Sequence, residues 1–232
     1  MEPASSLSLL CDFIRFPSVS TDPTRKAAVS DCAHWLAAHL KRIGLSSRVM
    51  PTPGHPVVLA RNAHKPGRPT VLIYGHYDVQ PEEPLAAWTT PPFEPQIRNG
   101  VLFARGAADN KGQIFAHVEG VAATLREQGE LPVNLVFLIE GEEEIGSDHL
   151  EAFLEQHREE LRCDVIAVSD TGMVAAGVPT LTYGLRGIAA MEVRVHGPAT
   201  ALHSCQVCRA AHTRAALRAP FRASSADVHR PI

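Results

Sequence analysis

His76 and Asp78 stand two residues apart at the carboxyl end of a short apolar run, Thr70-Val-Leu-Ile-Tyr74. On an extended segment that spacing puts both side chains on one side. Asp78 could therefore accept one imidazole N–H, fixing the tautomer and raising the basicity of the other nitrogen. A second apolar run, Val133 to Ile139, leads into Glu140-Gly141-Glu142-Glu143-Glu144, and a third, Val165 to Val168, leads through Ser169 to Asp170. Asp109 lies in a glycine-flanked loop, Ala104 to Gly112, that opens a helical segment. Imidazole and carboxylates together suit zinc, and a carboxylate such as Asp109 can bridge two ions. Two ions ~3.5–4 Å apart can activate water and polarise a carbonyl together. Adjacent Glu143 and Glu144 could divide the remaining labour, one as ligand and one as general base.

Each signal also has a plainer reading. His76 alone would be a hydrogen-bonded loop residue, Glu142 to Glu144 a solvated helix entrance favoured by the macrodipole, Asp109-Asn110 an N-cap and Asp170 a turn residue. Their shared placement carries the metal reading. The apolar runs are bounded by Pro and Gly and rich in β-branched residues, which predicts buried strands. Between them lie helical patterns: Ile114, Val118, Val121, Ala122 and Leu125, then Leu150, Phe153, Leu154 and Leu161. Upstream, Leu7, Leu10 and Ile14 share a helical face with Ser5 or Ser6 as N-cap. Val29, Cys32, Ala33, Leu36, Leu40 and Ile43 form another, stopped by Gly44. Strands alternating with helices predict an α/β fold with a mostly parallel sheet covered on both faces. In such sheets the site lies outside the carboxyl ends of the strands, where all these groups fall. Tyr183 to Gly187 reads as a hinge, and Ile188 to Val195 alternates like a strand with one exposed face.

Composition excludes several classes. The chain has 232 residues and a net charge of −3, which supplies no footprint for nucleic acid or an anionic membrane. No stretch reaches the roughly 20 apolar residues of a bilayer span, and the start has no basic-then-apolar leader. Five cysteines form no disulfide framework, so a cytoplasmic location is expected, with Cys11, Cys32 and Cys163 as ordinary core residues.

The strings Gly75 to Pro81, Trp88 to Pro95, Arg105 to Gly112, Glu140 to Ser147 and Tyr183 to Gly187 together resemble the zinc-dependent exopeptidase and deacylase family. That family includes carnosinase, carboxypeptidase G, acetylornithine deacetylase and succinyl-diaminopimelate desuccinylase. The resemblance covers roughly residues 5 to 204 and is nearest the carnosinase-like dipeptidases. It implies a three-layer αβα catalytic domain over residues 1–186, incomplete at its carboxyl end, and the start of a small α/β lid, or dimerisation, domain over 187–204. His76 and Asp170 would be ligands of one zinc, Asp109 the bridge and Glu144 a ligand of the second zinc. Glu143 would be the general base, Asp78 the orienter of His76, and His203 a group stabilising the reacting carbonyl oxygen. A cis peptide is implied at Asp109-Asn110, where Asn110 departs from the usual acidic or apolar residue. The implied cofactors are two Zn(2+), with manganese or cobalt as alternatives. The implied reaction is hydrolysis of an amide in a dipeptide or N-acyl amino acid, and the implied assembly a homodimer formed through the lid.

The pattern breaks at Gly197 to Cys205, where Ala201 replaces an aspartate and Cys205 a glycine. Beyond Ser204 the composition turns to Ala and Arg, and the second-zinc histidine expected downstream has no counterpart. Residues 205–232 are therefore expected to be an aberrant, disordered tail, produced by a frameshift near codon 204 or 205 and leaving a truncated chain. His203, Cys205, Cys208 and His212 offer a rival reading as a small metal site. Three functional classes follow: a dipeptidase, an inactive fragment or pseudoenzyme that binds one zinc or a peptide, and an interaction module whose lid strand pairs with a partner chain.

Overall fold

The computed structural model describes residues 5–184 and Gly187. The chain divides into two units, Met1–Leu181 and Thr182–Ile232, and the first contains every element given below. His203, the strand expected over Ile188 to Val195, the rival Cys/His site and the tail from 205 lie outside the described residues.

Helix α1, Ser6–Ile14, starts where the Ser5 hydroxyl accepts the Ser8 N–H at 3.2 Å. Helix α2, Lys26–Arg42, carries His39, Lys41 and Arg42 in its last turn, where cations suit the negative end of the helix. Strands β1, Ser46–Met50, and β2, Val57–Arg61, form an antiparallel pair before β3, Thr70–His76. Strands β4, Gln96–Arg98, and β5, Val101–Phe103, form a separate hairpin around Asn99-Gly100, both at positive φ. Helix α3, Lys111–Gln128, strand β6, Asn134–Glu140, helix α4, Leu150–Gln156, and strand β7, Val165–Val168, complete the unit.

The main sheet runs β1-β2-β6-β3-β7. Only β2 is reversed, since it pairs antiparallel with both β1 and β6, while β3 runs parallel to β6 and β7. Alternation along the strands divides the core in two. Val58, Ala60, Ile73, Leu135, Phe137 and Ile139 pack with Phe13 of α1 and the apolar faces of α2 and α3. Val57, Leu59, Leu72, Val136 and Leu138 face the other way and meet Phe153 of α4 and Leu161. The sheet is thus covered on both faces, the αβα layering implied above. Every residue of β6 is buried, as a central strand of such a sheet requires.

Of the four strands expected, the three that fall on described residues are present; β1, β2 and the hairpin were not anticipated. Val57-Val-Leu-Ala60 behind Pro56 and the Asn99-Gly100 pair were the available signals. Leu7 and Leu154, counted on apolar faces from spacing, are 46% and 38% exposed. Cys32 is buried as expected, whereas Cys11 and Cys163 are only half-buried.

Phe137 has no exposure and sits at the centre of the larger core cluster. Phe137→Ala should cost about 3–5 kcal/mol, the range for emptying such a site. Urea unfolding should show this as a lower midpoint at an unchanged slope.

Candidate metal centre

Strand β3 lies between β6 and β7, so the loops leaving these three strands open side by side. His76 pairs in register with Glu140, and Tyr74 with Val168; Asp170 follows two residues beyond the end of β7, as His76 follows two residues beyond Tyr74. The sheet register alone brings one imidazole beside the carboxylates of two neighbouring loops. Asp109 arrives from the loop before α3.

His76 and Asp78 are both fully buried. Nδ1 of His76 lies 3.0 Å from the Asp78 backbone carbonyl and 3.4 Å from Asp78 Oδ1. The shorter contact makes the carbonyl the better acceptor, so Asp78 orients the ring chiefly through its backbone. The Asp78 carboxylate has other work. Its Oδ2 accepts the Ser20 hydroxyl at 2.6 Å and the Glu144 N–H at 3.1 Å, tying β3 to the loop after β6.

The other imidazole nitrogen, Nε2, faces the cleft. It is buried and has no hydrogen-bond partner. Asp109 Oδ1 and Asp170 Oδ2 each lie 3.3 Å away, and Glu143 Oε2 3.8 Å. Ligand atoms from His76, Asp109 and Glu144 lie within 4.8 Å of one another, as do those from His76, Glu143 and Asp170. Glu144 Oε1 is also buried without a partner, while its Oε2 accepts from Gln80 at 2.6 Å. Among the described residues no lysine or arginine pairs with these four carboxylates.

Burial by itself would lower the pKa of His76. The hydrogen bond to Asp78 and the charges of Asp78, Asp170 and Glu143 outweigh it and raise the group to about 9. Burial, reinforced by neighbouring carboxylates, raises Glu143, and burial likewise raises Glu144. Both shifts come first from burial, with the neighbouring carboxylates adding to it. A divalent cation at this place would relieve the same crowding. Two ligands about 2.0–2.1 Å from a tetrahedral ion lie about 3.3–3.4 Å apart, the spacing of His76 Nε2 from Asp109 and Asp170. The donor set and the orphaned Nε2 fit a borderline metal.

The structure thus brings together His76, Asp78, Asp109, Glu143, Glu144 and Asp170. The plainer readings hold only in part: Glu143 and Glu144 do open a short 3-10 turn, Glu143–Ile145. Asn110 occupies the N-cap position of α3 but makes no side-chain cap bond. Glu142 is only 5% exposed; it accepts the His55 N–H at 3.1 Å and lies 2.8 Å from His149 Nδ1, which anchors the acidic loop. Sequence reasoning missed Ser20, Gln80 and the full part played by Asn110. Gln80 falls inside a quoted motif, but nothing local in the sequence marks Ser20. The Asp109-Asn110 peptide is cis, as the resemblance implies. Gly141 is also explained, because a Cβ there would meet the hydroxyl of buried Tyr77 at 2.3 Å.

The family model "Peptidase family M20/M25/M40" matches residues 72–229, continuing past the point where the motif resemblance stops. The chain belongs to this family. It is 34% identical over 206 residues to the Cys-Gly metallodipeptidase dug1 of Schizosaccharomyces pombe, covering 82% of this chain and 43% of that protein. Beta-Ala-His dipeptidase of Mus musculus is 37% identical over 175 residues, or 73% of this chain and 36% of that protein. Among solved structures, human carnosine dipeptidase 1 superposes with a TM-score of 0.69 at 31% identity, covering 73% of this chain and 39% of that one. An M20 family metallo-carboxypeptidase from Sulfolobus solfataricus gives 0.68 at 36%, covering 74% and 38%. The chain spans about two fifths of the length of the relatives it matches.

With His76 at about 9, a metal entering at neutral pH must displace its proton. Apparent affinity should therefore rise about tenfold per pH unit between pH 7 and 8.5, and titration calorimetry in buffers of differing ionisation enthalpy should report proton release. The metal-free chain should show the opposite linkage. The stability that protonated His76 contributes is complete below about pH 6.5 and is lost as pH rises through about 9. His76→Ala should abolish both dependences.

Proposed function

We propose that this member of the M20/M25/M40 family carries the metal-binding part of a dipeptidase that hydrolyses the amide bond of a dipeptide or N-acyl amino acid. The observation that carries the reading is the buried, partnerless His76 Nε2 ringed by carboxylate oxygens of Asp109, Asp170 and Glu143. In this reading His76 and Asp170 would hold one zinc, Asp109 would be shared between the ions, and Glu144 would serve a second. When bound, zinc supplies Lewis acidity toward water and the scissile carbonyl.

The chain's own residues do the rest. The Asp78 carbonyl keeps the His76 proton on Nδ1, which leaves Nε2 as the ligand atom. Gln80 and the Asp78 link hold Glu144 in place. Glu143, partly exposed and raised in pKa by burial, suits a group that takes a proton from attacking water at Oε2 and returns it to the leaving amine. His203 is proposed to stabilise the reacting carbonyl oxygen, and homodimerisation through the lid belongs to the same proposal. The names of the relatives point to cysteinylglycine and β-alanylhistidine as first substrates.

A second reading, as an interaction module, is favoured by one observation. Among the described residues β7 is the last strand of the sheet, and Val165, Ile166 and Val168 on it are 55%, 61% and 55% exposed.

Release of free amino acids from cysteinylglycine and β-alanylhistidine, with added zinc, manganese or cobalt, tests the first reading. Glu143→Gln should lower turnover by about 10²–10⁴-fold while metal uptake persists. Undiminished turnover in that variant would remove Glu143 from the proposed role. A chain that never turns over but gains mass with concentration in sedimentation would favour the module.

A further inference from the structure

Asn110 is 1% exposed, and both polar ends of its side chain are engaged. Its Oδ1 accepts the backbone N–H of His76 at 3.3 Å. Its Nδ2 donates to the Ser169 carbonyl and to Asp170 Oδ1, both at 3.0 Å. The residue also follows Asp109 directly. One amide therefore joins the three loops that carry His76, Asp109 and Asp170. The contact at Asp170 is selective: Oδ1 takes the amide hydrogen, while Oδ2 points to His76 Nε2 at 3.3 Å.

We infer that Asn110 is a positioning residue that makes Asp170 a one-oxygen ligand, holding Oδ1 on its amide and leaving Oδ2 alone to face the centre. The functional consequence rests on the metal-centre reading above. In this chain the position holds a side chain that both donates and accepts, and all three contacts use that property. An ionised aspartate would set a second carboxylate where the donor now lies, 3.0 Å from Asp170. An apolar residue would leave the Ser169 carbonyl and Asp170 Oδ1 without their donor. With Oδ1 released, Asp170 can swing to bind a cation through both oxygens, which raises the coordination number and opens the ligand set.

The backbone of β3 is shaped for this contact. A Cβ on Gly75 would meet Asn110 Oδ1 at 2.6 Å and Ile114 Cγ1 at 2.8 Å, so the approach of Asn110 to His76 depends on glycine there. Gly75→Ala thus disturbs Asn110 without altering its chemistry and provides an independent variant.

The test compares the wild-type chain with Asn110→Leu and Gly75→Ala in two measurements: metal-free crystal structures, and titration with Co(II) followed by visible absorption. In the metal-free variants His76 should stay in place while Asp170 Oδ2 leaves its position against Nε2. The Co(II) dissociation constant should rise about tenfold or more, the usual effect of losing an outer partner of a ligand. The Co(II) band should also weaken as Asp170 comes to bind through both oxygens. A purely structural role for Asn110 would lower the melting temperature and leave the Co(II) spectrum as in the wild type, which would overturn the inference. If the wild type takes up no Co(II), the metal-centre reading fails. The metal-free crystals then decide Asn110 on their own, since an unmoved Asp170 in Asn110→Leu also overturns it.

Discussion

The organising constraint is the concentration of negative charge around one buried imidazole. Asp78, Asp109, Glu143 and Asp170 all bring oxygens within 4 Å of His76, and two of those side chains are less than 40% exposed while Asp78 is fully buried. Carboxylates do not gather this way without compensation, because burial and mutual repulsion both favour protonation. The compensation visible in the chain is the raised pKa of His76, with Glu143 and Glu144 displaced upward as well. A cation would relieve all three groups at once.

Much of the surrounding structure keeps this crowding in place. The segment after α1 runs beside the end of β3 through the Val19–Val79 bridge, with the Ser18 hydroxyl donating to the Tyr77 carbonyl at 2.7 Å and Ser20 donating to Asp78. The loop between β1 and β2 reaches the acidic loop through His55 and Glu142. Tyr77, buried among the core residues, donates its hydroxyl to the Pro56 carbonyl at 2.6 Å and its N–H to Glu140 at 2.9 Å. Each tie is an ordinary hydrogen bond worth about 1 kcal/mol net. Together they fix ligand-bearing loops that open sheet ends could not hold alone.

The first two turns of α3 add a similar layer. Lys111, fully buried, donates its ammonium to the carbonyls of Phe13 and Phe16 at 3.1 and 2.8 Å, joining the start of α3 to the end of α1. His117, one face further along, lies 2.7 Å from the Ser169 hydroxyl. Asp109 and Asp170 thus belong to loops whose neighbours are pinned to a helix that packs on the larger core cluster. A buried lysine is costly to desolvate, and its pKa is pushed down for that reason. The two carbonyls supply the partners that make the burial tolerable.

Period and residue type were enough to read the strands β3, β6 and β7, the four helices and the two-faced cover of the sheet, because core burial imposes alternation of 2.0 and 3.6 on the sequence itself. They were also enough to place His76, Glu143, Glu144 and Asp170 near one edge, since every parallel strand delivers its exit to the same side; Asp109 was read from its glycine-flanked loop, and its bridging role came from the motif resemblance. Periodicity did not report β1 or the β4–β5 hairpin, whose residues are mostly exposed or half-exposed; for the hairpin only the Asn99-Gly100 turn pair was a local signal. Nor could it assign the ties that depend on which loops meet. Ser20 and Asp78 are 58 positions apart, and Asn110 and Asp170 are 60. The sequence alone determined which groups could bind a cation and which end of the sheet would carry them. Only the tertiary structure decided which oxygen faces His76 and which is already engaged, because hydrogen-bond direction is set by the juxtaposition of chain segments far apart in sequence.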